Sequence, residues 1–265
     1  MHRKLFYIMC FVLIGQQVSG CESTGPVAHP LMTHYIVLSQ NLLYAVRTGD
    51  STRADIDTLA RASTQELARQ LADDAAKKAF WLNVYNAFVQ IFLQHDTTLY
   101  QHRPAFFSRK SIVIAGHHLS LDDIEHGMLR HSKIKWSLGY LNKPFPSAFE
   151  KQFRVDSLDD RIHFALNCGA RSCPPIAFYD PAHIDQQLDL ATKNYLFNEL
   201  SYDTTSQTLY LPAIMGWFRH DFGGKKGMLK LVKKWGFVPE DAHPHIRFKP
   251  YDWTLYLHHF QNDTP

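Results

Sequence analysis

Apolar side chains first return at helical spacing between Leu31 and Arg47, where Tyr35, Leu38, Leu42, Leu43 and Val46 share one face and Gly49-Asp50 ends the pattern. Ser63-Thr64-Gln65-Glu66 has the form of a capping box and predicts a short helix with Leu67 and Leu71 turned inward. Asp73 and Asp74 then supply acceptors and negative charge for another helix start. That helix, Ala75 to about Gln94, is apolar almost all round. Only Asn83, Asn86 and Gln90 interrupt it, at steps of three and four, as one polar stripe. A helix so patterned is buried, and each buried amide left unpaired costs about 1–3 kcal/mol. The stripe therefore either binds neighbouring backbone or lines a site, with Asn83 and Asn86 orienting a substrate or completing an oxyanion pocket. Three amides in so short a run argue against a transmembrane span.

Further along, Ile112-Val113-Ile114 and His118-Leu119 flank a turn at Ala115-Gly116-His117 and predict a hairpin. Ser120 is placed to cap a helix from Leu121 to about Arg130, with Asp122, Asp123 and Glu125 in its first turn and His126 on the face of Asp122. Ser132 to Leu158 reads as loop, its lysines a solvated surface. Arg161 to Pro175, RIHFALNCGARSCPP, reads as a buried strand, Ile162 to Asn167, running into a tight loop. Alternation there sets Phe164, Leu166 and Cys168 on one face and His163, Ala165 and Asn167 on the other. Asp180-Pro181 opens a helix with Ile184, Leu188, Ala191 and Tyr195 inward. Leu209 to Leu211 and Ile246 to Phe248 suit short strands, and Lys225 to Trp235 a basic amphipathic helix. The fold class is α+β, a mixed α/β domain in which helices pack on a small sheet around the central helix Ala75 to Gln94.

The N-terminus changes the picture of where the chain resides. His2-Arg3-Lys4, the apolar run Leu5 to Ile14 and the small residues before Cys21 form a signal peptide over 1–20. Val18-Ser19-Gly20-Cys21 resembles the lipobox of bacterial lipoproteins, which makes Cys21 an acylation site. Residues 21–30 become a lipid-anchored tether, 31–258 a single domain and 259–265 a tail. The expected location is the cell envelope, lipid-anchored at the outer membrane and facing the periplasm, or otherwise secreted. The expected partners are the membrane, through the lipid on Cys21, and an envelope substrate or protein. Of 28 basic and 25 acidic residues, Arg3 and Lys4 leave with the leader, and so balanced a chain excludes nucleic acid as the main partner.

Cys10 also leaves with the leader and Cys21 is taken by lipid, so Cys168 and Cys173 remain for chemistry in an oxidising compartment. Their spacing matches neither a zinc nor a CxxC redox motif.

AFWLNVYNAF at Ala79 to Phe88, LSLDDIEHGMLR at Leu119 to Arg130, RIHFALNCGARSCPP, and the later WFRHDFG and PYDW segments occur together in one order. In this the chain resembles the domain of unknown function 547 family, in a bacterial, lipoprotein-like form, from about Leu31 to Trp253. The resemblance implies no particular reaction.

The residues themselves suggest a cysteine-dependent hydrolase or acyltransferase. In that reading Cys168 is the nucleophile, His126 its base with Asp122 behind it, and Asn86 a further catalytic group. Asn83, Gly169 and Glu125 would bind substrate, Gly169 by letting backbone amides approach an oxyanion. The arrangement is reminiscent, by analogy, of papain-like hydrolases with rearranged chain order. The alternative is a non-catalytic binding or scaffold module with a structural Cys168–Cys173 disulfide. A metal site, joining His126 or His163 to both thiols, ranks third, and no cofactor is called for.

Overall fold

The structure, a computed structural model, describes residues 34–261. The expected signal peptide, Cys21 and the expected tether lie outside the described residues. Four helices open the chain: α1 (His34–Thr48), α2 (Arg53–Ala60), α3 (Thr64–Gln70) and α4 (Asp74–His95). Ser63 caps α3 through its hydroxyl, but Glu66 turns to Arg69 and Gln70 rather than back to the cap. Asp73 caps α4 by accepting from the Ala76 amide at 2.8 Å.

The sequence pattern of α4 is realised in full. Phe80, Trp81 and Val84 are wholly buried, Phe88 nearly so, and α1 packs along the helix. Each such side chain contributes roughly 1.5–3 kcal/mol by leaving water. Trp81 also donates to the Phe153 carbonyl at 2.9 Å, which satisfies its indole inside the core.

The expected strand Ile162 to Asn167 does not form. Asp159 caps a 3-10 turn, Asp160–Phe164, and an irregular segment follows it. The physical reason lies in the stripe on α4. Asn86 donates to the Ala165 carbonyl at 3.0 Å and accepts from the Asn167 amide at 2.9 Å. The backbone groups a sheet neighbour would have satisfied are thus satisfied by a side chain. The central helix accordingly does not pack on a sheet containing this segment.

The sheets lie elsewhere. β1 (Ile112–Ile114) and β2 (His117–Leu119) form the hairpin, pairing Ile112 with Leu119, and turn through Ala115 and Gly116, both at positive φ. β3 (Ser201–Asp203), β4 (Thr208–Leu211) and β5 (His245–Phe248) form a second sheet, β3 antiparallel and β5 parallel to β4. Between the sheets come α6 (Ala148–Phe153) and α7 (Ile184–Glu199), and after β4 come α8 (Ala213–Trp217) and α9 (Gly224–Lys234); α5 (Arg103–Ser108) precedes β1. Asp180 accepts from the His183 amide, so α7 starts at Ile184, beyond Pro181.

A second core forms under this sheet, with Phe164, Leu209, Met215, Phe222 and Val232 at its centre. The main core surrounds α4. Residues 250–261 run back as a strap across the cysteine loop, with backbone hydrogen bonds from Arg171 to Thr254, from Tyr256 to Gly169 and from Gln261 to Ile176. Part of the expected tail, His259 to Gln261, therefore belongs to the packed domain.

Candidate active site

Asn167 organises the loop that carries both thiols. Its Nδ2 donates to the Pro174 carbonyl at 2.8 Å and its Oδ1 accepts from the Gly169 amide at 2.9 Å. Gly169 sits at φ +86°, and a Cβ there would meet Leu93 Cδ1 at 2.8 Å, so backbone and packing both demand glycine. The turn folds Cys173 back on Cys168. Both are free thiols with sulfurs 2.6 Å apart, and the Cys168 amide donates to Cys173 Sγ at 2.9 Å. The strap places Tyr251 Oη 3.1 Å from Cys173 Sγ and 3.4 Å from Cys168 Sγ.

The two thiols differ in surroundings. Cys173 is buried in the core, and burial first, then its bond to Cys168, pushes its thiol well up. Cys168 is half-buried. The hydrogen bond from Cys173 pulls its thiol down against the effect of burial, aided by Tyr251 and the Ala170 amide. A sulfur that accepts from several donors is the one suited to carry negative charge.

Cys168 lines a cavity of about 290 Å³. Its apolar wall comes from α8 and the strap, where Trp217 stacks on Trp253 at 5.5 Å and packs against Tyr251 at 4.8 Å. Its polar wall comes from Tyr85 on α4 and from Asp122, Glu125 and His126. The segment Asp123–Leu129 is π-helical, with the Arg130 amide bonding to the Glu125 carbonyl five residues back. Such widened turns recur where side chains must be re-aimed at a site. Ser120 and Asp123 cap the segment reciprocally, hydroxyl to amide at 3.0 Å and carboxylate to amide at 2.8 Å.

His126 is fixed in one tautomer. Arg130 donates to its Nδ1 at 2.9 Å, and a guanidinium has no lone pair to offer, so the ring proton resides on Nε2. Nε2 lies 3.6 Å from Asp122 Oδ1. Burial would raise the Asp122 carboxyl, but the hydrogen bonds from His126 and Lys135 outweigh it and hold it below the usual carboxylate range. Tyr85 donates to Glu125 at 3.2 Å, and burial, with the Glu125 charge next, pushes its phenol up.

His163 is fixed the opposite way. Its Nε2 lies 2.9 Å from Asp221 Oδ2, which also accepts from Arg130 Nε at 2.6 Å. Burial acts to raise the Asp221 carboxyl, yet the bonds from His163 and Arg130 bring it down to about 2. Asp221 is thus a carboxylate and His163 carries its proton on Nε2. Burial pushes His163 below its ordinary value despite Asp221, so the ring is neutral at neutral pH. It lies flat on Phe218 at 4.0 Å and lines the cavity, and its Nδ1 makes no hydrogen bond among the described residues.

Of the residues singled out in the sequence, Cys168, His126, Asp122 and Glu125 line this one cavity. Asn83 and Asn86 do not. Asn83 donates to the Tyr179 carbonyl and accepts from its amide, both at 2.9 Å, while Asn86 holds Ala165 and Asn167. Both are wholly buried and neither lines the cavity; Asn86 positions the loop that bears Cys168. The Gly169 amide is taken by Asn167 and the Cys168 amide by Cys173, so glycine makes the turn there and does not expose an oxyanion donor. Strand alternation turns His163 away from Cys168 and leaves it only as a candidate for the third-ranked metal site, and Asp221 is not among the expected site residues. The signal for Asp221 was its place in the aromatic-dense run Gly216 to Phe222. Among the described residues no three His, Cys, Asp or Glu side chains converge to hold a metal ion.

Residues 69–196 match the profile of a family described as "Protein of unknown function, DUF547". The matched stretch takes in α4, the π-helical segment and the cysteine loop, and it supports that family for this part of the chain. No curated protein and no solved structure matches.

Proposed function

We propose that this DUF547-like domain is a cysteine-dependent acyl hydrolase or acyltransferase with Cys168 as nucleophile. The supporting observation is a pairing within one cavity. A half-buried sulfur accepts hydrogen bonds from Cys173 and Tyr251, and the same cavity is lined by a neutral His163 backed by Asp221 with its Nδ1 lone pair unused.

In this scheme His163 Nδ1 takes the Cys168 proton, and the sulfur attacks the carbonyl carbon of an ester, amide or thioester while the C=O electron pair moves onto oxygen. Collapse of the adduct breaks the bond to the leaving group, which takes the proton back from the imidazolium. Water or a second acceptor, deprotonated by His163, then attacks the acyl thioester and Cys168 departs as thiolate. Asp221 orients the ring and stabilises its charged form. We assign the base to His163 because Arg130 occupies Nδ1 of His126. The Nε2–H of His126 faces Asp122, so His126 is assigned to holding the polar wall in place and not to proton transfer. The aromatic wall favours an apolar acyl group and excludes water. For the cell, we propose export and acylation of Cys21, with the domain held in the envelope and facing the periplasm, with no role for nucleic acid.

Incubation with a p-nitrophenyl acyl ester, followed by peptide mass analysis, tests the reading. An acyl group is expected on Cys168, with its formation slowed about 10²–10⁴-fold in His163→Asn. Equal acylation of Cys168→Ala, or none in the wild type, contradicts it. The closeness of the two sulfurs favours one other reading, a scaffold with a Cys168–Cys173 disulfide, in which the native protein yields no modifiable thiol.

A further inference from the structure

The loop between Ser132 and Ser147 bears Trp136, Leu138, Tyr140, Leu141 and Phe145 in solvent, Trp136 at 76% and Phe145 at 92% of full exposure. These are five of the ten large exposed apolar side chains among the described residues, which sets the loop apart from ordinary scatter. From His131 to Phe149 the sequence has three lysines and no acidic residue. Lys135 and Lys143 reach Asp122 and Glu150 at the loop's flanks, whereas Lys133 has no acidic partner among the described residues.

The loop is held in shape. Ile134 donates to the Leu141 carbonyl at 2.9 Å and Lys143 to that of Ser132 at 2.7 Å, closing its base. Leu138, at φ +53°, offers its carbonyl to the His220 amide at 2.9 Å, and the Tyr140 ring packs on His220 at 4.6 Å. Gly139 lies so close to Asp221 that a Cβ would meet its Oδ1 at 2.1 Å. Apolar tips fixed in water and interleaved with lysines have the composition of a membrane-interface segment, with aromatics at headgroup depth, leucine and phenylalanine below them, and cations toward phosphate. A lipid surface satisfies both halves together. Lys135 and Leu138 also line the cavity, so the loop is its rim.

We infer that this loop docks on an anionic bilayer, inserting Trp136, Leu141 and Phe145 and setting the cavity mouth against the lipid. This contact is separate from any lipid on Cys21 and does not depend on the chemistry proposed for Cys168.

The full chain carrying Cys21→Ser, with and without Trp136→Ser, Leu141→Ser and Phe145→Ser together, is titrated with phosphatidylethanolamine–phosphatidylglycerol vesicles. Any contribution of the leader is common to both. The triple variant is expected to bind at least about tenfold more weakly. Lipids brominated on the acyl chain are expected to quench tryptophan emission, and this quenching should fall in Trp136→Phe. Equal vesicle affinity, quenching independent of Trp136, or loss of capture of a protein partner with vesicle affinity intact would each overturn the proposal. Cys168 labelling in the same samples reads the cysteine chemistry separately.

Discussion

The stripe on α4 and the polar wall of the cavity are both buried and both polar, yet their hydrogen-bonding capacity is used differently. Asn83 and Asn86 clamp loop backbone through donor and acceptor alike, and Gln90 accepts from the His258 amide at 2.9 Å. All three tie chain segments without regular structure to the central helix. Across the cavity, Arg130 and Asp221 engage one nitrogen of each histidine; the second nitrogen of His126 turns to Asp122, while that of His163 makes no hydrogen bond among the described residues. A polar group whose valences are filled by backbone is architecture. One whose remaining valence meets a cavity is available for chemistry.

That contrast can be broken by mutation. Asn86→Ala leaves the Ala165 carbonyl and the Asn167 amide unpaired in the core, and is expected to destabilise the fold by about 2–5 kcal/mol in urea unfolding. A loss below about 0.5 kcal/mol would show that the stripe does not carry the loops. Asp221→Asn separates the two regions by pH. In the folded chain the Asp221 carboxyl titrates at about 2, below its ordinary value, so its stabilisation is complete above about pH 4 and is lost as pH falls toward 2. That loss amounts to about 2 kcal/mol. Asp159 is likewise held down at about 2, its bonds to Arg161 and Lys78 outweighing burial, and contributes in the same window. The variant should therefore show a shallower loss of stability between pH 4 and 2 than the wild type, though not a flat one. An unchanged slope would remove Asp221 from the network.

The long, strongly patterned elements were legible in the sequence. The run from Ala75 to Gln94 reads as buried and is buried, and the hairpin and the Ser120 cap stand where their turn and capping residues placed them. The segment Ile162 to Asn167 has a strand's composition, but its backbone partners come from Asn86, some eighty positions away, and no local pattern encodes that. The strap was hidden for the same reason. Tyr251 and Trp253 reach the cavity through backbone pairing with the cysteine loop, a long-range contact that leaves no periodicity. The shared wall of Asp122, Glu125 and His126 was visible because helical spacing alone brings them together, whereas the approach of Asp221 to His163 depends on how the second core packs.

The most direct test of the central claim is site-resolved iodoacetamide labelling against pH in wild type, Cys168→Ala, Cys173→Ala and His163→Asn. The account predicts one fast-reacting thiol near neutral pH, assigned to Cys168, absent in Cys168→Ala, present in Cys173→Ala with its midpoint moved to higher pH, and altered in its pH profile by His163→Asn. Fast labelling that survives in Cys168→Ala and disappears only in Cys173→Ala would contradict it.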